Sequence, residues 1–345
     1  MIEAGCERWA DAEQLAIMGL IEPLKHLPEL LSLRRSLIAR WRSSPPDVFV
    51  GIDAPDFNLG LETRLKAAGI RTMHYVSPSI WAWRAGRIRK IRKAADCVLC
   101  ILPFEPAIYE EHGMSAVFVG HPKADTLSAD TDVHAARQAL GISGSGRVVA
   151  VMPGSRAGEV SRLAPIFAAA AVDVAAQHDD VQFVTPVARP KLQSLIEQEL
   201  ERHSIHDRFT VVEGRSIECM AAADLVLLAS GTAALESALL GKPTVAAYRV
   251  AWLTFKIVMV FNLVKVDRVT LPNLLTGEML IPEFIQDDAT PQAVSAEVIS
   301  LLDDRERRDG IRSKFAKLHD ELALDANERA ADALIRLVEA GPTGQ

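Results

Sequence analysis

The sequence predicts an α/β protein built from two parallel-sheet domains. Short apolar runs rich in Val, Ile and Leu recur along the chain, and each is followed by a stretch of helical periodicity. This alternation occurs in two series, one before about residue 125 and one after about residue 146. A length of 345 residues suits two domains, each large enough for its own core.

The elements can be taken in order. Residues 1–46 are mainly helical in pattern, with an apolar face that includes Leu24, Leu27, Leu31 and Leu37. Arg34, Arg35, Arg40 and Arg42 make the other side basic. Such a helix can pack on a sheet with a solvated basic side, or lie on an anionic membrane. The first strand is Asp47–Asp53, followed by a helix at about 59–68 and a strand at 72–76. A loop through Trp81 and Trp83 leads into a basic helix at 84–95. A strand at 97–102, a helix near 104–112 and a strand at 117–120 complete the first series. Residues 125–146 hold Asp, Ser, Thr and Gly with one short helical piece, and are read as a linker.

The second series has strands near 148–152, 181–186, 209–212, 225–228 and 244–248. Leu225 to Leu228 is apolar throughout, as a strand covered by helices on both faces should be. The chain closes in amphipathic helices from about 291 to 340.

Composition narrows the class. Hydrophobic content of 49% and charged content of 24% are those of a globular protein. A net charge of −7 argues against nucleic acid as the main partner. Cys97 and Cys100 form a C-x-x-C inside an apolar strand, where packing explains them better than redox chemistry. No second Cys or His pair follows to complete a zinc site. No signal peptide is visible, so the cytoplasm is the expected compartment.

Three strand ends carry candidate chemistry. Ser230-Gly231-Thr232 follows the strand at 225–228 and opens a helix. Gly231 allows close backbone approach, and the first helix amides have no partner within the helix. These amides and the helix dipole favour an anion there. Glu236, about one turn in, suits a diol such as a ribose. An ordinary turn with a Ser/Thr cap is the competing reading. Met152-Pro153-Gly154-Ser155-Arg156 repeats the pattern, with Arg156 able to hold a diphosphate by paired hydrogen bonds. Asp53 ends its own strand, where a carboxylate can act as general base or simply cap the next helix. Neither a G-x-x-x-x-G-K-[ST] nor a G-x-G-x-x-G signature is present, which weakens ATPase and dehydrogenase readings. No metal and no cofactor are expected, since Arg156 and the helix dipoles would carry the charge.

Two features suggest a membrane surface. Basic residues including Arg87 and Lys90 crowd the helix after Trp81 and Trp83. The apolar stretch 250–264 contains Trp252, Phe255, Lys256 and Phe261. It is shorter than the ~20 residues of a spanning helix. A central lysine would oppose insertion by about 3 kcal/mol. Lying in the interface is therefore preferred to spanning, and a buried helix is the alternative.

Val50–Asn58, His74–Trp83, Leu102–Glu105, Val119–Pro122, Pro153–Arg156, Leu228–Glu236 and Leu271–Gly277 together closely resemble the lipid-A-disaccharide synthase family. The resemblance runs from near Glu3 almost to the end. It implies two Rossmann-like domains of glycosyltransferase B type, with C-terminal helices packing across. The expected divisions are 1–128 for the acceptor side, 129–310 for the UDP-sugar side and 311–345 for the terminal helices. The implied reaction joins UDP-2,3-diacylglucosamine to 2,3-diacylglucosamine 1-phosphate (lipid X), with inversion, no metal, and release of UDP. It implies work at the cytoplasmic face of the inner membrane and a homodimer with exchanged C-terminal segments.

By position, Asp53 matches the family's proposed base and Arg156 the residue stabilising the leaving UDP. Gly154, Ser155, Ser230, Gly231, Thr232, Glu236 and Asn273 fall in the nucleotide-binding motifs. Another UDP-sugar transferase, a UDP-N-acetylglucosamine 2-epimerase of the same fold, or an inactive form are the alternatives. The family also opens with a strand and a Gly-Glu-x-Ser-Gly-Asp turn that precede the point where this sequence starts. Either a start codon further upstream or a short, inactive chain would explain this, and the upstream start is the expectation.

Overall fold

The computed structural model describes residues 5–9, 22–82, 85–251 and 268–340. The chain divides into two compact units, 1–121 with 325–345, and 122–324.

The first unit opens with helix α1 (Glu22–Ser43) and continues through β1 (Val48–Ile52), α2 (Pro55–Lys66) and β2 (Arg71–Tyr75). It goes on through α3 (Ile88–Ala94), β3 (Cys97–Cys100), α4 (Glu105–Glu110) and β4 (Ser115–Phe118). The four strands pair in parallel in the order β1-β2-β3-β4. Helix α2 begins at Pro55, four residues before the sequence expectation, because proline fits the first helical position. Leu59, Ile88, Ile91 and Ala94 pack against Val98 and Cys100 on one face of this sheet. Both strand cysteines are free and buried, and burial raises both thiol pKa values.

The second unit comprises α5 (Pro122–Thr126), α6 (Val133–Ala139), β5 (Val148–Met152), α7 (Ala157–Gln177), β6 (Gln182–Val187) and α8 (Gln193–Arg202). β7 (Phe209–Glu213), α9 (Ser216–Ala222), β8 (Leu225–Ala229), α10 (Thr232–Leu239) and β9 (Thr244–Tyr248) follow. It ends with α11 (Leu271–Thr276), β10 (Glu283–Ile285), α12 (Pro291–Asp303) and α13 (Arg305–Leu322). Its sheet has the order β10-β9-β8-β5-β6-β7, with every pairing parallel. All residues of β5 and β8 are buried, which explains their uninterrupted apolar sequences. The short β10 and α11 lacked a periodic signal in the sequence. The stretch read as a linker, 125–146, holds the end of α5 and, as its one short helical piece, α6.

The last helix, α14 (Ala326–Glu339), belongs to the first unit. Ala326, Ala330, Leu334 and Leu337 pack with Met73, Cys97 and Leu99 on the second face of the first sheet. The units divide after His121 and Leu324, against expected boundaries after residues 128 and 310.

Two polar clusters lie inside the first unit. Glu62 Oε1 and His74 Nδ1 are 2.7 Å apart and fully buried. A Cβ on Gly51 would sit 2.0 Å from the same Glu62 oxygen, so this strand position must be glycine. Ser77 Oγ lies 2.9 Å from the Tyr109 hydroxyl. The Glu105 carboxylate accepts from the Leu102 N–H at 3.1 Å and the Trp81 indole N–H at 3.2 Å.

Burial raises the Glu105 pKa from 4.5 to about 7, although hydrogen bonds from Ser77, Leu102 and Trp81 oppose the shift. Between those values the folded chain keeps a proton that the unfolded chain has lost. Stability therefore falls as pH rises through this window, by about 3 kcal/mol in full. Glu105→Gln should remove that decline. Urea unfolding at pH about 5 and about 8 should show a smaller pH difference for the variant than for the parent.

Candidate active site

In the second unit the chain runs from β5 outward to β6 and β7, then returns to β8 on the other side of β5. The order of the sheet thus reverses between β5 and β8, and ligands of open parallel sheets bind at the carboxyl ends of such strands. The register pairs Met152 with Leu228, so the turns after the two strands leave the sheet side by side. One turn carries Gly154 at φ 120° and the other Gly231 at φ 137°, both in the region that favours glycine. Gly154 is doubly constrained, because a Cβ there would come within 2.8 Å of the Glu159 side chain. Helices α7 and α10 start directly after these turns. The structure thus brings Gly154, Ser155 and Arg156 to the same sheet edge as Ser230, Gly231 and Thr232. Two helix starts and a guanidinium stand at that edge, an arrangement suited to a diphosphate.

A carboxylate from the protein itself occupies part of this arrangement. Glu159 Oε2 accepts from the Ser155 N–H at 3.2 Å, and Oε1 accepts from Arg156 Nη1 at 3.0 Å. Glu159 therefore makes the contacts that an oxyanion would make. Tyr248, at the end of β9, belongs to the same cluster. Its pKa is raised by burial first and by the negative charge of Glu159 second, with Arg156 and Arg162 opposing. Sequence reasoning named neither Glu159 nor Tyr248. A Glu three residues after Arg156, just inside a helix start, was the available signal.

Two other residues expected on the nucleotide side are engaged with the protein itself. Glu236 Oε1 pairs with Lys123 Nζ at 3.1 Å, so its carboxylate is already engaged. Asn273 is fully buried. Its amide donates to the Ile281 carbonyl at 2.7 Å and to Glu283 Oε1 at 2.8 Å, and accepts from the Ile281 N–H at 2.8 Å. Asn273 therefore ties α11 to β10 instead of presenting its amide to a ligand.

In the first unit, Asp53 stands just past the carboxyl end of β1. It is exposed, and its carboxylate has no hydrogen bond or ion pair among the described residues. Asp53 and Ala54 have φ of 48° and 42°, two consecutive left-handed residues that are not glycine. Asn58, buried on α2, holds this turn. Its amide donates to the Ile52 carbonyl at 3.1 Å and to the Asp53 carbonyl at 2.7 Å. The Asp53 N–H donates to the Tyr75 carbonyl at 2.8 Å. Retained strain of this kind is a mark of functional positions.

The expected membrane-facing residues divide into three groups. Trp81 is corrected: its indole bonds to buried Glu105 and its ring meets Phe104 edge-on at 5.3 Å, so it anchors its loop inward. Arg87 is also corrected, because it pairs with Asp56 at 2.7 Å and is largely covered. Lys90 is exposed. Trp83, Trp252, Phe255, Lys256 and Phe261 lie outside the described residues. Among the described residues no helix is long and apolar enough to cross a membrane.

Because Glu159 and an incoming diphosphate would compete for the same donors, Glu159→Ala should tighten UDP binding several-fold, a gain of about 1 kcal/mol. Calorimetric titration with UDP measures it, and weaker binding would show that Glu159 supports the ligand.

Known proteins place this geometry in context. The family model described as lipid-A-disaccharide synthetase matches residues 1–335. The chain is 48% identical over 339 residues to the lipid-A-disaccharide synthase of Xanthomonas campestris pv. campestris, covering 98% of this chain and 77% of that one. It is 47% identical to the Cellvibrio japonicus synthase, with 98% and 88% covered. Among solved structures, the UDP-GlcNAc 2-epimerase from Neisseria meningitidis bound to UDP-GlcNAc is similar in fold. Its TM-score is 0.61 at 14% identity, covering 93% of this chain and 84% of that one. A glycosyltransferase from Rickettsia africae gives a TM-score of 0.53 at 10% identity, over 91% and 82%. These neighbours share two parallel-sheet α/β units of glycosyltransferase B type. A likeness near half identity that runs through both sheets and all three strand-end turns leads to one conclusion: the chain belongs to the lipid-A-disaccharide synthase family.

Proposed function

We propose that this chain joins UDP-2,3-diacylglucosamine to 2,3-diacylglucosamine 1-phosphate, forming lipid A disaccharide 1-phosphate and UDP with inversion at the anomeric carbon. The observation that carries the reading is the pair of helix starts with Arg156 at the β5–β8 reversal, on a chain of this family. Arg156 and the first amides of α7 and α10 take the diphosphate and stabilise the charge that grows on leaving UDP. Asp53 accepts the proton of the acceptor 6-hydroxyl as its oxygen attacks. Asn58 holds the Asp53 turn, so the carboxylate is presented at a fixed place. Asn273 and the Lys123–Glu236 pair shape the nucleotide side.

Both substrates carry acyl chains that stay in a bilayer. This supports peripheral binding at the cytoplasmic face of the inner membrane, with Lys90 and the apolar stretch 250–264 contributing. A homodimer with exchanged C-terminal segments would pass the packing of α14 on the first sheet between copies.

Asp53→Ala should lower turnover about 10²–10⁴-fold and leave UDP affinity nearly intact. Arg156→Ala should weaken UDP binding about tenfold or more and lower turnover as well. Product formation from detergent-dispersed acyl substrates, followed by mass spectrometry, tests both. Full turnover in the Asp53 variant would remove it as the base. Because Arg156 and the helix starts carry the charge in this reading, EDTA should leave turnover unchanged, and a loss restored by Mg²⁺ would contradict it.

A further inference from the structure

Helices α1, α2 and α3 of the first unit enclose a cleft of about 520 Å³ on the side of the helical layer turned away from the sheet. Arg34 and Arg35 come from α1, Arg64 from α2, and Lys90 and Lys93 from α3. Among the described residues, none of these five cations forms an ion pair or side-chain hydrogen bond, and no carboxylate lines the cleft. The nearby acids are used elsewhere. Asp56 pairs with Arg87, Glu62 is buried against His74, and Asp96 pairs with Lys66 at 2.8 Å. Five like charges around one concavity repel each other and raise the local potential for an anion.

The floor is built to admit a charged side chain. Gly60 sits in the middle of α2, where glycine costs helix stability of up to about 1 kcal/mol relative to alanine. A Cβ at that position would lie 2.6 Å from Arg34 Nη1, so the guanidinium rests in the space that the missing side chain leaves. The walls are not only basic. Leu31 and Ile38 line the α1 side, one helical turn below and above the arginines. Aliphatic side chains flanking the cations on α1 fit a phosphate that carries hydrocarbon better than free phosphate. The cleft takes residues from the middle and end of α2, whereas Asp53 precedes its start.

We propose that this cleft binds the phosphate headgroup of an anionic membrane lipid and so holds the first unit on a bilayer. This deepens the peripheral-membrane reading above and gives it a defined subsite. The headgroup phosphate sits among Arg34, Arg35, Arg64, Lys90 and Lys93, with its glycerol and first methylenes against Leu31 and Ile38.

The test is flotation of the full chain with vesicles of phosphatidylcholine alone and of phosphatidylcholine containing phosphatidylglycerol. Two variants are compared with the parent: Arg35→Glu with Arg64→Glu and Lys93→Glu, and Gly60→Leu, which fills the floor without changing charge. The parent should bind only the anionic vesicles, more weakly as salt rises. Both variants should bind them at least about tenfold more weakly while binding UDP as the parent does. If the charge-reversed chain fails to fold, Gly60→Leu decides. Undiminished vesicle binding in the folded variants overturns the proposal and leaves the transferase reading intact. Absence of UDP binding in the parent would instead count against the transferase reading alone. Displacement of the parent from vesicles by an equal concentration of inorganic phosphate would overturn the lipid as occupant and assign the cleft to free phosphate.

Discussion

The sites of this protein depend on one backbone constraint: a parallel strand must hand the chain to a helix within a few residues, at the carboxyl edge of its sheet. The turn that does so leaves the first amides of the helix without intrahelical partners, facing outward over that edge. In the second unit Gly154 and Gly231 make this turn at positive φ without steric cost. In the first unit Asp53 and Ala54 make it without glycine. The cost there is of the order of 1–2 kcal/mol per residue. The two hydrogen bonds from Asn58 offset it, at about 0.5–1.5 kcal/mol each. The difference fits the proposed roles: two turns must admit a phosphate to the backbone, and one must carry a carboxylate.

Polar groups support these turns from behind. Gly51, two residues before Asp53 in the chain, clears space for the Glu62–His74 pair. Asp224 accepts from the Val148 N–H at 2.7 Å and from Arg137 at 2.8 Å, locking the starts of β5 and β8 together. The carboxyl ends of those strands are therefore fixed relative to each other by groups at their opposite ends. Glu105 does the same for the Trp81 loop, and its raised pKa makes that anchorage sensitive to pH.

Electrostatic pairing gives the two basic regions different characters. Arg156 is matched internally by Glu159. The five cations of the outer cleft have no such partner among the described residues. An internal stand-in keeps a site ordered and selective. An unmatched cluster raises local potential and attracts anions over a longer range.

The sequence by itself determined the α/β class, the two sheets, nearly every strand, and the strand-end positions of Asp53, Arg156, Gly154 and Gly231. Period, apolar runs and glycine chemistry are local properties, and the matched motifs added the family. Only the tertiary structure decided what the side chains meet. It engaged Asn273 and Glu236 with protein partners, turned Trp81 inward onto Glu105, and bonded Glu159 to Arg156 and the Ser155 amide. It also gathered arginines and lysines from three helices into one cleft and returned α14 to the first sheet. The reason is physical: hydrogen bonding, ion pairing and burial depend on neighbours distant in the chain, whereas a turn or a strand is largely specified by the residues within it.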